Sequence, residues 1–274
     1  MILIIESGAT KADWSFAKDG KEISRHESSG INPVSNDNTH KLHNPSDLDS
    51  AAVKQIYYYG AGVMGDTPKK LVSDTLLTIF PNANKIEVGT DLLASARATS
   101  AGEASIVAIL GTGSNSCLFD GEQISTQLPS LGYLLGDEGS GFHIGKEIIK
   151  SYFYGDMPEV DRDRFQEMYT SELSSLLMEL YRAGRPNFEI ASYAKFLETS
   201  EPAYQNYLLE KIFQSFIDTR IKPIQQGTNF PINFTGSISH FYGPMLTRVC
   251  EMNGYRVNQI LRKPMNKLIE YHNK

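Results

Sequence analysis

The chain has 274 residues, of which 41% are hydrophobic and 21% charged, a composition typical of globular proteins rather than collagen-like, disordered or coiled-coil chains. Its 26 Lys and Arg against 32 Asp and Glu give a net charge of −6, the wrong sign for a general nucleic-acid binder. The longest apolar runs, residues 1–5 and 106–110, are far shorter than the roughly 20 residues that cross a bilayer. No basic residue precedes the first run, as it would in a signal peptide. Two cysteines without metal-ligand spacing, Cys117 and Cys250, favour a reducing compartment. We therefore expect a cytoplasmic protein that binds neither nucleic acid nor membrane.

The first half of the chain begins with a buried strand. A short apolar run before a glycine turn, as at residues 1–5, is typical of a strand covered on both faces. Asp19-Gly20 is a strong hairpin signal between two further strands. The elements predicted in this half are strands at 1–5, 13–17, 21–26, 55–59 and 85–89, with helices at 68–80 and 92–99.

The second half repeats this order. Asp-Gly-Lys-Glu-Ile-Ser at 19–24 recurs as Asp-Gly-Glu-Gln-Ile-Ser at 120–125, within a similar succession of strands. We therefore expect two lobes hinged near residue 103: residues 1–103, completed by a C-terminal helix at 262–274, and residues 104–261. The elements predicted in the second half are strands at 106–110, 116–119, 122–127, 231–235 and 257–261, helices at 140–153, 241–253 and 264–271, and a helical insert at about 161–219.

Two glycine-containing loops follow buried strands, Gly8-Ala9-Thr10 and Gly111-Thr112-Gly113-Ser114. Glycine lets successive backbone N–H groups turn toward one point, and hydroxyl groups add donors, so such loops favour anions. Either loop alone is compatible with a plain hairpin turn. As a pair in repeated halves, they could hold one polyphosphate from two sides, and Lys11 would add a positive charge.

A competing motif lies at residues 60–65, where Gly-Ala-Gly-Val-Met-Gly matches the dinucleotide-binding pattern G-x-G-x-x-G and Glu87 follows about 20 residues later. That mechanism needs the helix to start within the glycines. Thr67 and Pro68 instead predict a helix start beyond the last glycine, because proline suits the first helical position. Glu87 also falls in the middle of a predicted strand. We therefore disfavour a dinucleotide site here.

Three carboxylates are candidates for chemistry. Glu6 follows the first strand and could hold the water shell of a magnesium ion, although a surface turn residue would look the same. Asp91 follows the strand at 85–89, where ligands sit in open α/β sheets, although capping of the next helix would also explain it. Asp137 lies among four glycines of residues 132–141, which suits a backbone close to a polar ligand or a helix N-terminus.

Five segments occur in the order seen in the BadF/BadG/BcrA/BcrD ATPase family of the actin-like sugar kinase/Hsp70 superfamily, and the sequence is most similar to the N-acetylglucosamine kinases within it. The resemblance implies an α/β, actin-like (ribonuclease H-like) two-lobed fold. Each lobe would have a mixed five-stranded sheet with helices on both faces, with nucleotide and sugar in the cleft between the lobes. The segments that carry it are Glu6-Ser7-Gly8-Ala9-Thr10-Lys11, Thr90-Asp91, Gly111-Thr112-Gly113-Ser114-Asn115, residues 132–141 and Thr235-Gly236-Ser237.

The resemblance also implies roles for individual residues. Thr10 and Thr112, with their loops, would bind the phosphates of ATP, and Gly236 and Ser237 would lie beside the adenosine. Asp91 would be the general base on the sugar hydroxyl. The residues implied to bind the sugar are Asn32, Asp91, Ser130, Leu131, Gly132 and Asp137.

The activity implied is transfer of the γ-phosphate of ATP, with Mg²⁺, to the 6-hydroxyl of an amino sugar, most of all N-acetylglucosamine. Two positions depart from the family pattern. Ser7-Gly8-Ala9-Thr10 after Glu6 replaces Gly-Gly-Gly-Thr after an acid, and Ser130-Leu131-Gly132 replaces Gly-Trp-Gly. The partners expected are therefore ATP and a small sugar, and similar kinases are commonly homodimers.

Two other functions stay open from the sequence. The same family contains activator ATPases of 2-hydroxyacyl-CoA dehydratases, which need cysteines placed to hold an iron–sulfur cluster. Cys117 follows the second glycine loop and Cys250 lies in a predicted helix, so neither is placed as a ligand. A non-catalytic sensor of sugar or nucleotide with this fold is the other alternative.

Overall fold

The computed structural model describes residues 1–8, 11–30, 50–169 and 172–273. The polar segment from residue 35 to residue 49, for which the sequence predicts no chemistry, lies outside these ranges. The chain divides into two compact units. Unit 1 comprises Met1–Gly102 with Lys263–Lys274, and unit 2 comprises Glu103–Arg262.

Unit 1 contains one five-stranded sheet in the order β3-β2-β1-β4-β5. The pairs β1–β2 and β2–β3 are antiparallel, whereas β1–β4 and β4–β5 are parallel. Its strands are β1 (Ile2–Ser7), β2 (Lys11–Lys18), β3 (Lys21–Ser29), β4 (Gln55–Gly60) and β5 (Lys85–Thr90), and its helices are α1 (Asp66–Ile79), α2 (Asp91–Thr99) and α12 (Met265–His272).

Helices cover both faces of the unit 1 sheet. Alternate residues of β1 and β4 point to one face, where they form an apolar core with Trp14 and with Leu76 of α1. Trp14 is fully buried, and its indole N–H donates to the Ser28 hydroxyl over 2.9 Å. On the opposite face, α2 and α12 pack on the strands, and His272 stacks on Tyr57 at 3.6 Å between ring centroids. Because successive side chains of a strand point to opposite faces of the sheet, these buried strands pack against a layer of helices on each face.

Unit 2 repeats this sheet. Its strand order is β10-β9-β6-β7-β8, which read from the other end has the same succession of antiparallel and parallel pairs as unit 1. The predicted fold class is therefore confirmed. The strands of unit 2 are β6 (Ser105–Leu110), β7 (Ser114–Phe119), β8 (Ile124–Gln127), β9 (Ile232–Thr235) and β10 (Val257–Leu261).

The helices of unit 2 enclose a second apolar core, in which Phe213, Phe216 and Phe234 are fully buried. A 3₁₀ segment (Tyr193–Glu198) and a π-helical turn (Ile217–Ile221) interrupt the α-helices of the insert. The α-helices are α3 (Gly132–Leu135), α4 (Gly141–Tyr154), α5 (Glu159–Met168), α6 (Leu173–Arg182), α7 (Pro186–Ser192), α8 (Pro202–Phe216), α9 (Lys222–Gln225), α10 (Ser237–Phe241) and α11 (Gly243–Met252).

Three predicted boundaries are wrong, each for a local reason. Helix α1 begins at Asp66 rather than Pro68, because Gly65, with a φ of 79°, reverses the chain directly before it. The helix predicted at 241–253 begins two residues later, at Gly243, because Pro244 lies in the first turn of α11 and the separate short helix α10 ends at Phe241. The predicted loop before Asp137 contains the short helix α3.

Close packing of α4 against α7 predicts an unusual response to substitution at Gly145. A Cβ at this position would lie 1.8 Å from the backbone oxygen of Ile190. Gly145→Ala should therefore lower stability by about 1–3 kcal/mol, although helix propensity alone predicts a gain of up to about 1 kcal/mol. The midpoint of urea unfolding measures the change, with the exposed neighbour Lys146→Ala as control. A stabilised Gly145→Ala variant would contradict the packing.

Candidate functional site

The parallel strands of unit 1 end at the same level. Ser7 at the end of β1 pairs with Gly60 of β4, and Gly60 pairs with Thr90 of β5. Gly8 and Asp91, which come next in the chain, therefore follow strands that end at one edge of the sheet. This carboxyl edge is where open α/β sheets place their ligands.

Glu6 faces a second acid that the sequence reasoning missed. In the antiparallel pairing of β1 with β2, Glu6 is opposite Asp13. Asp13 is only 5% exposed, and its Oδ2 lies 2.8 Å from Nζ of Lys263. Burial raises the pKa of Glu6 to about 7, and the negative charges of Asp13 and Asp91 add to this, while Lys263 opposes it. The feature that could have identified Asp13 is an acidic residue among the buried residues of β2.

Asp91 is the first residue of α2 but does not cap it. The N-cap is Thr90, whose hydroxyl accepts the N–H of Leu93 at 3.1 Å. Asp91 Oδ1 accepts the backbone N–H of Leu92 at 2.8 Å. Burial raises the pKa of Asp91, and backbone hydrogen bonds partly offset the rise. Thr90, rather than Asp91, therefore fills the capping role that the sequence also allowed for Asp91.

The remaining predicted residues of unit 1 are less informative. Lys11 is exposed, and its Nζ lies 3.4 Å from Glu27 Oε2, an ion pair of a kind that contributes little to stability. Gly8 directly follows β1. Thr10 and Asn32 lie outside the described residues.

In unit 2, the first turn of α4 holds the loop between β6 and β7. The N–H groups of Gly141 and Phe142 donate to the carbonyls of Gly111 and Thr112 at 2.8 and 3.0 Å. These bonds use N–H groups that a helix cannot satisfy internally. They fix the loop against a rigid element.

Asp137 also contacts this loop. Its Oδ1 accepts the backbone N–H of Ser114 at 3.1 Å. A Cβ on Gly113 would lie 2.7 Å from Asp137 Oδ2, so the close approach requires glycine. Asp137 itself has a φ of 60°, a conformation that is uncommon outside glycine. Burial raises the pKa of Asp137, and the bond from Ser114 opposes the rise.

Gly236 lies beside the same loop. Strand β9 runs parallel to β6 with Thr235 opposite Ile109, so Gly236 follows β9 at the level where the loop follows β6. Gly236 has a φ of 114°, and a Cβ there would lie 2.2 Å from the carbonyl oxygen of Leu110. Only glycine fits, and Ser237 then begins α10. Within unit 2, the residues predicted to bind phosphate and those predicted to lie beside the adenosine are therefore neighbours at one edge of the sheet.

A pocket of about 240 Å³ adjoins the loop of unit 2. Four residues implied to bind sugar or phosphate line it, and Gly132 begins the adjacent helix α3. The sequence analysis did not identify Arg220, which lies in the π-helical turn between buried isoleucines. A charged residue in that apolar setting is the feature that could have identified it. The lining residues are Ser114, Ser130, Leu131, Gly136, Asp137, Glu138, Thr219 and Arg220.

Both thiols lie in the interior of unit 2. Cys117 and Cys250 are fully buried, and burial raises each thiol pKa to about 12. Neither is available to a shared cluster at a surface. Within the described ranges, no helix combines the length and apolar character needed to span a bilayer.

The fold and these two strand edges define the class of actin-like ATPases and sugar kinases. No family model matches the chain. A structure from Porphyromonas gingivalis described as a "Putative N-acetylglucosamine Kinase" matches 100% of this chain and 99% of its own, at 34% identity and a TM-score of 0.93. The chain therefore belongs to the BadF/BadG/BcrA/BcrD ATPase family and is most like its N-acetylglucosamine kinase members.

Two more distant structures share the fold. A protein from Chromobacterium violaceum with the same description is 14% identical, with a TM-score of 0.74 over 99% of this chain and 98% of that one. A ROK family glucokinase from Streptomyces griseus, solved with glucose and AMPPNP, is 11% identical, with a TM-score of 0.58 over 98% and 97%.

The raised pKa of Glu6 predicts a pH-dependent stability. Its pKa in the folded protein is about 7 against 4.5 for an ordinary Glu, so ionisation destabilises the fold as pH rises through this interval. Glu6→Gln does not titrate and should be more stable than wild type above pH 7, by about 1–3 kcal/mol, with the difference shrinking toward pH 4.5. Urea unfolding across this range measures it.

The exposed Glu103→Gln is the control for loss of a carboxylate. It should show little difference from wild type throughout. A Glu6→Gln difference that is constant with pH would contradict the buried, acid-crowded setting.

Proposed function

We propose that the protein is an ATP-dependent kinase that phosphorylates the 6-hydroxyl of an amino sugar, with N-acetylglucosamine the first candidate. The observation that carries the proposal is the match, at 34% identity and over 100% of this chain, to the Porphyromonas gingivalis protein described as a "Putative N-acetylglucosamine Kinase". The placement of Asp91 after β5 and the glycine loop of unit 2 support it independently.

The loop of unit 2 is suited to the phosphates of ATP. Among the residues that the structure describes, no atom lies within 4 Å of a Cβ built on Gly111, so these residues leave open space on that side of the loop. Thr112 and Ser114 supply hydroxyl groups, and backbone N–H groups at such a turn favour anions. Gly236 and Ser237, beside the loop, are the proposed adenosine contacts, as the family resemblance implies. The glucokinase neighbour was solved with an ATP analogue.

The acids at the end of β1 fit a magnesium ion shared with phosphates. Glu6 and Asp13 are opposed hard oxygen ligands with Lys263 as the nearby cation, and burial, with the charges of Asp13 and Asp91 adding to it, raises the pKa of Glu6. Over the ranges that the structure describes, no group of three or more His, Cys, Asp or Glu could hold a metal by itself. Mg²⁺ commonly uses one or two carboxylates plus water and substrate phosphates. When bound, it would neutralise charge on the transferring phosphate.

Asp91 is the proposed general base. As its carboxylate accepts the proton of the 6-hydroxyl, the sugar oxygen attacks the γ-phosphorus and the bond to the bridging oxygen of ADP breaks. A raised pKa makes the carboxylate a better proton acceptor, and the bond from Leu92 fixes its orientation. The protonated acid then returns its proton to water.

The pocket beside the loop of unit 2 is the proposed binding site for sugar hydroxyls. Ser130, Leu131 and Asp137 line it, and Gly132 continues the segment. Leu131, which stands where the family has a tryptophan, is 56% exposed and offers the sugar an apolar surface. Asn32 remains part of the proposal from the family resemblance alone. The buried cysteines argue against an iron–sulfur activator ATPase.

A panel of sugars tests the proposal directly. Purified protein with Mg²⁺ and ATP is given N-acetylglucosamine, glucosamine, N-acetylmuramate or glucose, and both ADP release and phosphorylated product are measured. We expect sugar-dependent ADP release with a 6-phosphate product and the highest kcat/KM for N-acetylglucosamine. ATP consumption that no sugar stimulates would exclude the kinase.

Removal of the proposed base should separate chemistry from binding. Asp91→Asn should lower kcat by about 10²–10⁴-fold, the usual contribution of general base catalysis, while the Kd for ATP stays within about threefold. Asp66→Asn is the matched control, since Asp66 is the exposed first residue of α1 and also follows a parallel strand. Near-normal turnover of Asp91→Asn would refute this role.

A methyl group in the open loop should weaken nucleotide binding without unfolding the protein. Gly111→Ala should raise the Kd for ATP at least tenfold, because the added carbon enters the space proposed for phosphate. Gly184→Ala is the control, since its Cβ also meets no atom within 4 Å. Isothermal calorimetry measures the Kd, and circular dichroism checks the fold. Equal affinities of the two variants would argue against phosphate at Gly111.

A further inference from the structure

Arg220 connects two parts of unit 2 that the proposed function treats separately. Its side chain is 8% exposed and stands in the π-helical turn after α8. Nη1 donates to the carbonyl of Pro129 at 2.8 Å, while Nη2 donates to Asn115 Oδ1 at 3.1 Å and to the carbonyl of Leu128 at 3.5 Å. One guanidinium thus joins the segment before Ser130 to the strand after the glycine loop.

The backbone of Arg220 is tied to the same strand. Its carbonyl accepts the hydroxyl of Ser116 at 3.3 Å, next to the side-chain bond with Asn115. Strand β7 is also held by its ladder with β6, so the loop keeps its position independently of Arg220. Among the described residues, the bonds accepted by the Leu128 and Pro129 carbonyls come from this one side chain. The sugar segment therefore depends on Arg220 more than the loop does.

The electrostatic setting favours a planar guanidinium over an ammonium. Burial lowers the pKa of Arg220, and the negative charges of Glu138 and Asp137 partly oppose this fall. Nε of Arg220 and Oγ of Ser114 are buried and have no hydrogen-bond partner within the described part of the chain, and both residues line the 240 Å³ pocket. Lysine could not reach two separate acceptors with a fixed fork.

We infer that Arg220 is a positioning residue that sets the sugar-binding segment at residues 128–131 against the phosphate loop at residues 111–114. The inference rests on the proposed function. Arg220 acts through the carbonyls that it binds and through Asn115, and Ser130 and Leu131 then contact the sugar. Its loss should loosen the sugar segment and leave the nucleotide loop nearly intact.

Kinetics of Arg220→Lys and Arg220→Ala test this at a temperature where circular dichroism shows each variant folded. We expect the KM for the sugar to rise 10–100-fold, with kcat reduced less than tenfold and the Kd for ATP changed less than threefold. Millimolar guanidinium should partly restore the sugar KM of Arg220→Ala by filling the vacated site.

Arg162→Ala is the matched control. Arg162 also donates from Nη2 to two carbonyls, those of Gly155 and Met157 at 3.3 and 3.0 Å, and its Nε is likewise buried without a partner. A merely structural arginine would lower stability in both variants and leave the KM unchanged in both. An unchanged sugar KM in the folded Arg220 variants would therefore overturn the inference.

Hydrogen exchange provides a readout that needs no turnover. In Arg220→Lys, amides within residues 128–132 should exchange at least tenfold faster than in wild type, whereas those of β6 and β7 should not change. If the exchange rates in Arg220→Lys instead rose equally across the whole of unit 2, the inference would be overturned even if the protein is a kinase. Failure of wild type to phosphorylate any sugar would instead refute the proposed function, while leaving this exchange result interpretable.

Discussion

The parallel pairing within each sheet is the constraint on which both strand edges depend. In unit 1, it brings the ends of β1, β4 and β5 to one level, and in unit 2 it aligns β9 with β6. Parallel strands need long crossover connections, and each of these connections leaves the sheet at the same edge. Residues far apart in the sequence, such as Gly111 and Gly236, become neighbours because the strands that precede them are paired.

Close contacts at two glycines then determine the local geometry of the unit 2 edge. Gly113 and Gly236 leave no room for a side chain, because a Cβ would meet a carboxylate at one position and a carbonyl at the other. The helix start at Gly141 and Phe142 adds hydrogen bonds from a rigid element. Such an edge is organised before any ligand arrives, which lowers the entropic cost of binding.

Periodicity and turn chemistry were sufficient to predict the repeated sheets. Buried runs such as residues 106–110 and the two Asp-Gly turns specify strands and hairpins locally, so their order could be read in sequence. Asp13, Lys263 and Arg220 could not be identified in this way, because their importance comes from partners distant in the chain. The start of α1 at Asp66 was missed because Gly65, with its positive φ, is the N-cap, and Pro68 is accommodated within the first turn rather than at its first position.

The return of the chain to unit 1 has a consequence for biosynthesis. Lys263, which offsets the acids at Glu6 and Asp13, and His272, whose Nε2 lies 2.7 Å from the Tyr59 hydroxyl, are synthesised after the whole of unit 2. Unit 2 is one contiguous segment and can fold once it has emerged from the ribosome. Most of unit 1 is synthesised earlier, but its helix α12 is synthesised only after unit 2. A nascent chain that stalls before residue 263 would therefore carry the acids of unit 1 without the lysine that pairs with Asp13.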